Sequence, residues 1–258
     1  MIDLNHRSGF VYGGRGPRAA LADQLDALLE KALTTERNAS PSRDYLGASR
    51  IGEPCLRRLC FEYGGTPVDA DAAFDGRILR VFEAGHRFED MSIRWLRLAG
   101  FALRNERRDG SQFGFATAQG RFRGHIDGVI VDGPEIGAPY PILFEHKALS
   151  AKSWQDTVKR GVEISKPVYW AQVQIYMAYL SVAWTLFVAL NRDTMQLYPE
   201  LIAFDPADAQ ALSDRAVAVI RSVESRHLLP RISDDPEHYV CRMCPYARRC
   251  HQHRRAAA

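Results

Sequence analysis

No stretch of this chain stays apolar for the roughly 18 residues that a membrane-spanning helix needs. Its first residues, MIDLNHRSGFVYGGRGPR, lack the apolar core of a secretory signal. The expectation is a cytoplasmic protein with no membrane partner. Charge of one sign is not in excess either: the formal net charge is +3 over 258 residues, too little to name a partner. There is no G-x-x-x-x-G-K-[ST] phosphate cradle, so any unwinding activity would have to come from another protein. Internal repeats and low-complexity tracts are missing as well. Cysteine is scarce, with five residues. In a reducing compartment that number argues for metal ligation or buried thiols, not a disulfide framework. What remains is an ordinary globular composition, 46% hydrophobic and 25% charged, in a length that suits one large domain or a core with a small appendage.

Periodicity divides the chain into an α/β pattern. Leu21, Leu25, Leu28, Leu29 and Leu33 recur at helical spacing. Pro54 suits the first turn of a short helix in EPCLRRLCFEY. A long helix is expected from about Arg77 to Ala99, closed by Gly100. FALRNERRDG and FGFATAQGRFRGHIDGVIVDG read as strands, with PILFEHKAL as the next one. SAKSWQDTVKRGVEISKP reads as a polar, mobile segment that covers or threads a substrate. VYWAQVQIYMAYL reads as a helix, AWTLFVALNRDTMQLYPELIAF as a hairpin, and PADAQALSDRAVAVIRSVESRHL as a late helix. Arg and Lys gather at 15–18, 57–58, 104–108, 121–123, 159–166 and 242–255, which permits phosphate contacts or a solvated basic surface.

The stretch ILFEHKAL is the anomaly, because three ionisable residues interrupt an apolar strand. Alternation puts Glu145 and Lys147 on one face and His146 on the other. By the same rule the preceding strand puts His125 and Asp127 on one face, and pairing of the two strands would set Asp127 beside Glu145. Two adjacent carboxylates resist joint ionisation unless a cation lies between them, and an oxygen-rich site of that kind suits Mg²⁺ or Mn²⁺. A surface ion pair is the plainer alternative. On the long helix, Ile78, Phe82, Gly85, Glu89, Ser92 and Leu96 form the inward stripe, which gives Glu89 a reason to face the same cation. His86 lies on a flanking stripe, either as a helix-surface histidine or as a further ligand. Tyr169, Gln172, Tyr176 and Tyr179 share one face of the later helix, and Gln172 and Tyr176 make its hydrogen-bonding edge.

In this order, GHRFED, GHID, FEHK and QVQIY resemble the motifs of the PD-(D/E)XK nuclease superfamily, in its RecB-like branch, over roughly residues 46–200. The resemblance implies a restriction-endonuclease-like core with a central mixed sheet flanked by helices. It implies Asp127, Glu145 and the main-chain carbonyl of His146 as Mg²⁺ or Mn²⁺ ligands, with Lys147 as the catalytic lysine. Gln172 and Tyr176 match the family's Q-x-x-x-Y helix. Many members carry a histidine four residues after the helix glycine; here Glu89 holds that place, as in phage-type exonucleases, and His86 is out of register.

The tail holds Cys241, Cys244 and Cys250 in a C-x2-C-x5-C spacing, which argues for a metal centre needing a fourth ligand. Cys55 and Cys60 compete for that place. Five residues turn a helix by about 140°, so the two do not face one metal. Cys60 shares a stripe with Leu56 and Tyr63 and suits a buried position, whereas Cys55 sits at a helix start, where the dipole favours thiolate. One distant cysteine and a clustered trio flanking a nuclease core resemble the iron–sulfur RecB-like nucleases, including the CRISPR-associated four-cysteine family and the AddB nuclease domain. That resemblance implies a [4Fe–4S] cluster on Cys55, Cys241, Cys244 and Cys250. Zinc is the rival, with His251 or His253 as further ligands. The expected organisation is an N-terminal extension over 1–45, a nuclease core over 46–230, and a cysteine segment over 231–258 packing near Cys55. The expected activity is a metal-dependent deoxyribonuclease, in the form of an exonuclease on single strands or DNA ends, serving recombination, repair, phage DNA processing or CRISPR adaptation beside partner proteins. The alternatives are a DNA-end-binding component with little activity of its own, or a zinc-stapled interaction domain.

Overall fold

The computed structural model describes residues 17–40, 43–70, 72 and 76–252. By compactness the chain divides into two units, residues 1–41 with 74–82 and residues 42–73 with 83–258. The first holds helix α1 (Pro17–Ala39) and the beginning of helix α3 (Gly76–Leu98). Within it Arg80 pairs with Asp26 at 3.1 Å, and Gly76 passes so close to Glu30 that a β-carbon there would lie 2.7 Å from its Cα. The periodic leucines Leu21, Leu25 and Leu28 are all exposed.

The second unit carries two sheets. Strands β1 (Leu46–Gly47), β3 (Gly114–Thr117) and β4 (Phe122–His125) form one, in the order β1-β4-β3. Strands β2 (Leu103–Arg104), β5 (Gly128–Ile130), β6 (Ile142–Leu149), β7 (Trp184–Asn191) and β8 (Leu197–Ala203) form the other, in that order. Both are mixed: β1 runs parallel to β4 and β6 parallel to β7, and every other pairing is antiparallel. The GHIDGVIV segment, expected as one strand, is therefore broken at Ile126–Asp127, and its halves join different sheets. His125 belongs to the smaller sheet, opposite Gly114 and against Tyr45, and does not share a face with Asp127. Strand β4 pairs closely with β3, since a β-carbon on Gly114 would lie 2.1 Å from the Gly124 carbonyl oxygen.

Strand β6 buries apolar residues on both faces because it lies between β5 and β7 with packing above and below. Ile142 and Phe144 meet Ile93, Leu186 and Val188 on one side. Leu143 and Leu149 meet Val173, Met177 and Phe187 on the other. The crossover from β6 to β7 uses two helices, α4 (Ala151–Ser165) and α5 (Pro167–Leu180). The α4 segment was expected as polar and mobile, yet it is an ordered helix. Ser150 caps it, the Trp154 indole donates to the Ala189 carbonyl at 3.0 Å, and Thr157 and Val162 are buried. Lys152, Lys159, Arg160 and Glu163 face outward, so the sparse inward set did not reveal the helix. Gly161 supplies a left-handed kink at φ 72°, ψ 170°. Helix α6 (Pro206–Glu224) packs on α5 and on helix α2 (Leu56–Tyr63), and it is capped by Asp205 through the Ala207 and Asp208 N–H groups. Two short helices, α7 (Tyr239–Arg242) and α8 (Ala247–Gln252), carry Cys241 and Cys250, with Cys244 between them. No helix among the described residues is long and apolar enough to cross a membrane.

Candidate active site and cysteine centre

The β5–β6 pairing matches Gly128 with Phe144, so Asp127, one residue before, arrives opposite Glu145. Its carboxylate accepts from the His146 N–H at 2.8 Å, which fixes the bend against β6. Glu145 is almost fully buried. Its Oε1 accepts from Lys147 Nζ and from the Gln172 amide at 2.5 Å, while its Oε2 is buried without a hydrogen-bond partner. Lys147 also donates to the His146 carbonyl at 3.0 Å, and its ammonium lies 5.3 Å from the centre of the Tyr169 ring. Gln172 reaches Glu145 because α5 presents Tyr169, Gln172 and Tyr176 towards the sheet, one helical turn apart.

Three acids share this field. Burial pushes Glu145 up to about 8, and the Asp127 charge adds to the rise, with Lys147 offsetting part of it. Burial and the same Asp127 charge push Glu89 up to about 7. Lys147 is pulled down by burial, but Glu145 and Asp127 outweigh it, and the net shift is upward, so the ammonium is held. Tyr176 is raised by burial and then by the Glu145 charge, and stays a phenol. His146, on the opposite face of β6, is lowered by burial and Lys147 to about 3 and is neutral, with a buried Nε2 that has no partner.

Glu89, Asp127, Glu145, Lys147, Gln172 and Tyr176 are thus brought into one electrostatic neighbourhood. His86 is exposed, and its side chain makes no hydrogen bond or ion pair among the described residues. Phe82, expected on the inward stripe of α3, is 45% exposed; the buried stretch of the helix begins lower, with Ser92 and Ile93. Among the described residues no group of three or more His, Cys, Asp or Glu stands in metal-holding geometry. Lys147 is the cation that Glu145 meets. The donor set nevertheless fits a hard divalent ion: only oxygens are offered, and one buried oxygen of Glu145 is unpartnered. Tyr169 was noted in the sequence only as part of a helical face. Its place against Lys147 depends on the register of α5 over β6, which periodicity does not give. Gly124 is a second addition: a β-carbon there would lie 2.6 Å from the Tyr176 ring and 2.6 Å from the Phe115 ring, so this glycine is what lets Tyr176 approach.

Cys55, Cys241, Cys244 and Cys250 line one cavity, together with Arg58, Arg231 and His251. All five cysteines are free thiols. Cys241 and Cys244 are raised by burial, and each also feels Cys55 and Cys250, which marks all four sulfurs as neighbours. Cys60 lies elsewhere, 3.3 Å from the Ser222 hydroxyl in the core. Arg58, held by Glu53 at 3.2 Å and Glu62 at 3.0 Å, opposes the rise at Cys244. The Arg231 guanidinium lies 3.2 Å from His251 Nδ1. His253 lies outside the described residues. The Arg58 and Arg231 guanidinium groups line the cavity beside the four sulfurs and would offset the charge of thiolates there, although the sulfurs do not themselves stand in metal-holding geometry.

No protein-family model matches the chain, and no curated protein does. Solved structures do match. An alkaline exonuclease from Laribacter hongkongensis, LHK-Exo, is similar at a TM-score of 0.52 and 20% identity, covering 72% of this chain and 91% of its own. The same enzyme in complex with dAMP gives a TM-score of 0.51 at 20% identity, covering 71% and 90%. At that identity the likeness is one of fold.

Proposed function

We propose that this chain is a Mg²⁺- or Mn²⁺-dependent deoxyribonuclease of the PD-(D/E)XK type, RecB-like, acting as an exonuclease on DNA ends or single strands. The observation that carries it is the Glu145 carboxylate, buried between Lys147 and Gln172 beside Asp127, with one oxygen unpartnered. The shared fold with LHK-Exo supports the reading, as does that enzyme's recorded complex with dAMP.

Asp127, Glu145, Glu89 and the His146 carbonyl would hold the ion. A bound Mg²⁺ or Mn²⁺ supplies Lewis acidity to the scissile phosphate and lowers the pKa of its water. Lys147 points its ammonium into the site and donates to the attacking water and to charge developing on the phosphoryl oxygens. Gln172 holds Glu145 Oε1, so that Oε2 keeps one direction. Tyr169 packs its ring against the Lys147 ammonium and limits where it swings. Tyr176 closes the floor with its neutral phenol.

Cys55, Cys241, Cys244 and Cys250 are read as the ligands of a structural [4Fe–4S] cluster. The convergence of four sulfurs in one cavity supports this; zinc is the rival, because His251 lines the same cavity. Brown colour and broad visible absorption after anaerobic purification, with about four irons per chain, are the expected result; a colourless zinc protein overturns the cluster. The activity is tested with end-labelled single- and double-stranded DNA, with Mg²⁺ or Mn²⁺ and then with chelator. Metal-dependent digestion that Lys147→Ala abolishes is expected. A Lys147→Ala protein that digests as fast as the parent overturns the assignment. DNA binding without digestion favours an end-binding component instead.

A further inference from the structure

On the side of the larger sheet away from α5 there is a cavity of about 580 Å³ between the C-terminal half of α3, β7 and β8. It lies wholly within the second unit and does not include the acids. Its floor is made by Leu186, Val188 and Ser92, which are 6%, 5% and 2% exposed, and its walls include Trp95, Phe101 and Leu201. Its rim is open at Ala99, Leu197 and Pro199. Helix α3 ends at Leu98, and the chain turns away through a left-handed Gly100 at φ 94°, so no side chain of the helix fills the space beyond Ala99.

The volume falls within the range of small-molecule sites, about 300–1,000 Å³. The lining is apolar and aromatic, and its one buried hydroxyl, that of Ser92, has no hydrogen-bond partner among the described residues. A serine in a helix ordinarily satisfies its hydroxyl with water or the carbonyl one turn back. An orphaned one at the floor of an apolar cavity is a hydrogen-bonding group without its partner. A nucleobase does not fit, because its several polar edge atoms would meet at most the Ser92 hydroxyl and the Trp95 indole N–H. A charged or phosphorylated molecule does not fit, because no cation lines the space.

We propose that this cavity binds a small apolar molecule built on a flat ring system and carrying one hydrogen-bonding group. The ring lies between Trp95, Phe101 and the aliphatic floor, and the polar group pairs with Ser92. The site is independent of the nuclease assignment, so it stands or falls separately from it.

The test is calorimetric titration of the full chain with 2-naphthol and with naphthalene. One saturable 2-naphthol site per chain is expected, with naphthalene binding more weakly. Ser92→Ala should weaken 2-naphthol by between about twofold and tenfold, the value of one hydrogen bond, and leave naphthalene unchanged. Ala99→Trp places an indole in the mouth and should abolish both. Leu197→Trp, on the opposite rim, does the same and covers the case in which Ala99→Trp fails to fold. Absence of saturable 2-naphthol binding to the parent chain overturns the proposal. So does binding that survives both rim substitutions, or a Ser92→Ala protein that binds 2-naphthol as tightly as the parent.

Discussion

Glu145 is a carboxyl group in the wrong solvent, and its titration carries the first prediction. Its ordinary pKa of 4.5 rises to about 8 in the fold, and Glu89 rises from 4.5 to about 7. Below pH 4.5 both groups are protonated in folded and unfolded chains alike. Above it the unfolded chain releases protons that the fold still keeps, so stability present in acid is lost as pH rises towards 7 and 8. The metal-free protein should therefore melt at a lower temperature at pH 8 than at pH 5.5, and Glu145→Gln should flatten that slope. Scanning calorimetry across this range checks it; a melting temperature that rises from pH 5.5 to 8 would contradict the burial argument. Gln172→Leu should weaken Mn²⁺ binding by about 10- to 100-fold, measured by titration calorimetry, because the carboxylate loses the amide that orients it. At this scale the sequence was informative. Alternation separated Glu145 and Lys147 from His146, and helical spacing put Gln172 and Tyr176 together. The contact of Tyr169 with Lys147 was not legible, because it depends on how far α5 slides along β6.

Elements were less legible than residues. Strands with strong apolar runs, such as β6 and β7, declare themselves. A bend that hands the chain from one sheet to another does not, because GHIDGVIV keeps its apolar alternation through the break at Asp127. Helix α4 was missed because its order depends on tertiary partners: Asp193 accepts from the Ala151 N–H at 2.7 Å, and Glu200 accepts from the Val162 N–H at 2.9 Å. The second of these contacts follows directly on Gly161, whose φ of 72° and ψ of 170° are open only to glycine. Gly161→Ala should cost about 1–3 kcal/mol of stability by denaturant titration. A loss within error of zero would mean that α4 straightens without consequence.

Over the whole molecule, the cysteine centre ties segments far apart in sequence. Cys55 precedes α2, while the trio lies beyond α6, and all four meet in one cavity. On the proposed cluster, Cys241→Ser should remove most of the metal held there and lower the melting temperature, whereas Cys60→Ala should keep it; iron and zinc analysis beside a melting curve separates them. A Cys60→Ala protein that loses its metal would reassign the fourth ligand. The spacing of the trio made its own grouping legible in the sequence. The division of the strands into two sheets was not, because strand order depends on long-range pairing.

The parallel pairing of β6 with β7 has a kinetic consequence. A parallel neighbour cannot form by a tight turn, and here two whole helices must be threaded between the strands before the ladder closes. Such non-local closure is slow and comes late in folding. Gln172 rides on the second of those helices, so Glu145 meets its amide only once the crossover is complete. During refolding, the capacity to hold a divalent ion should appear with the slowest phase, after most helical signal has returned.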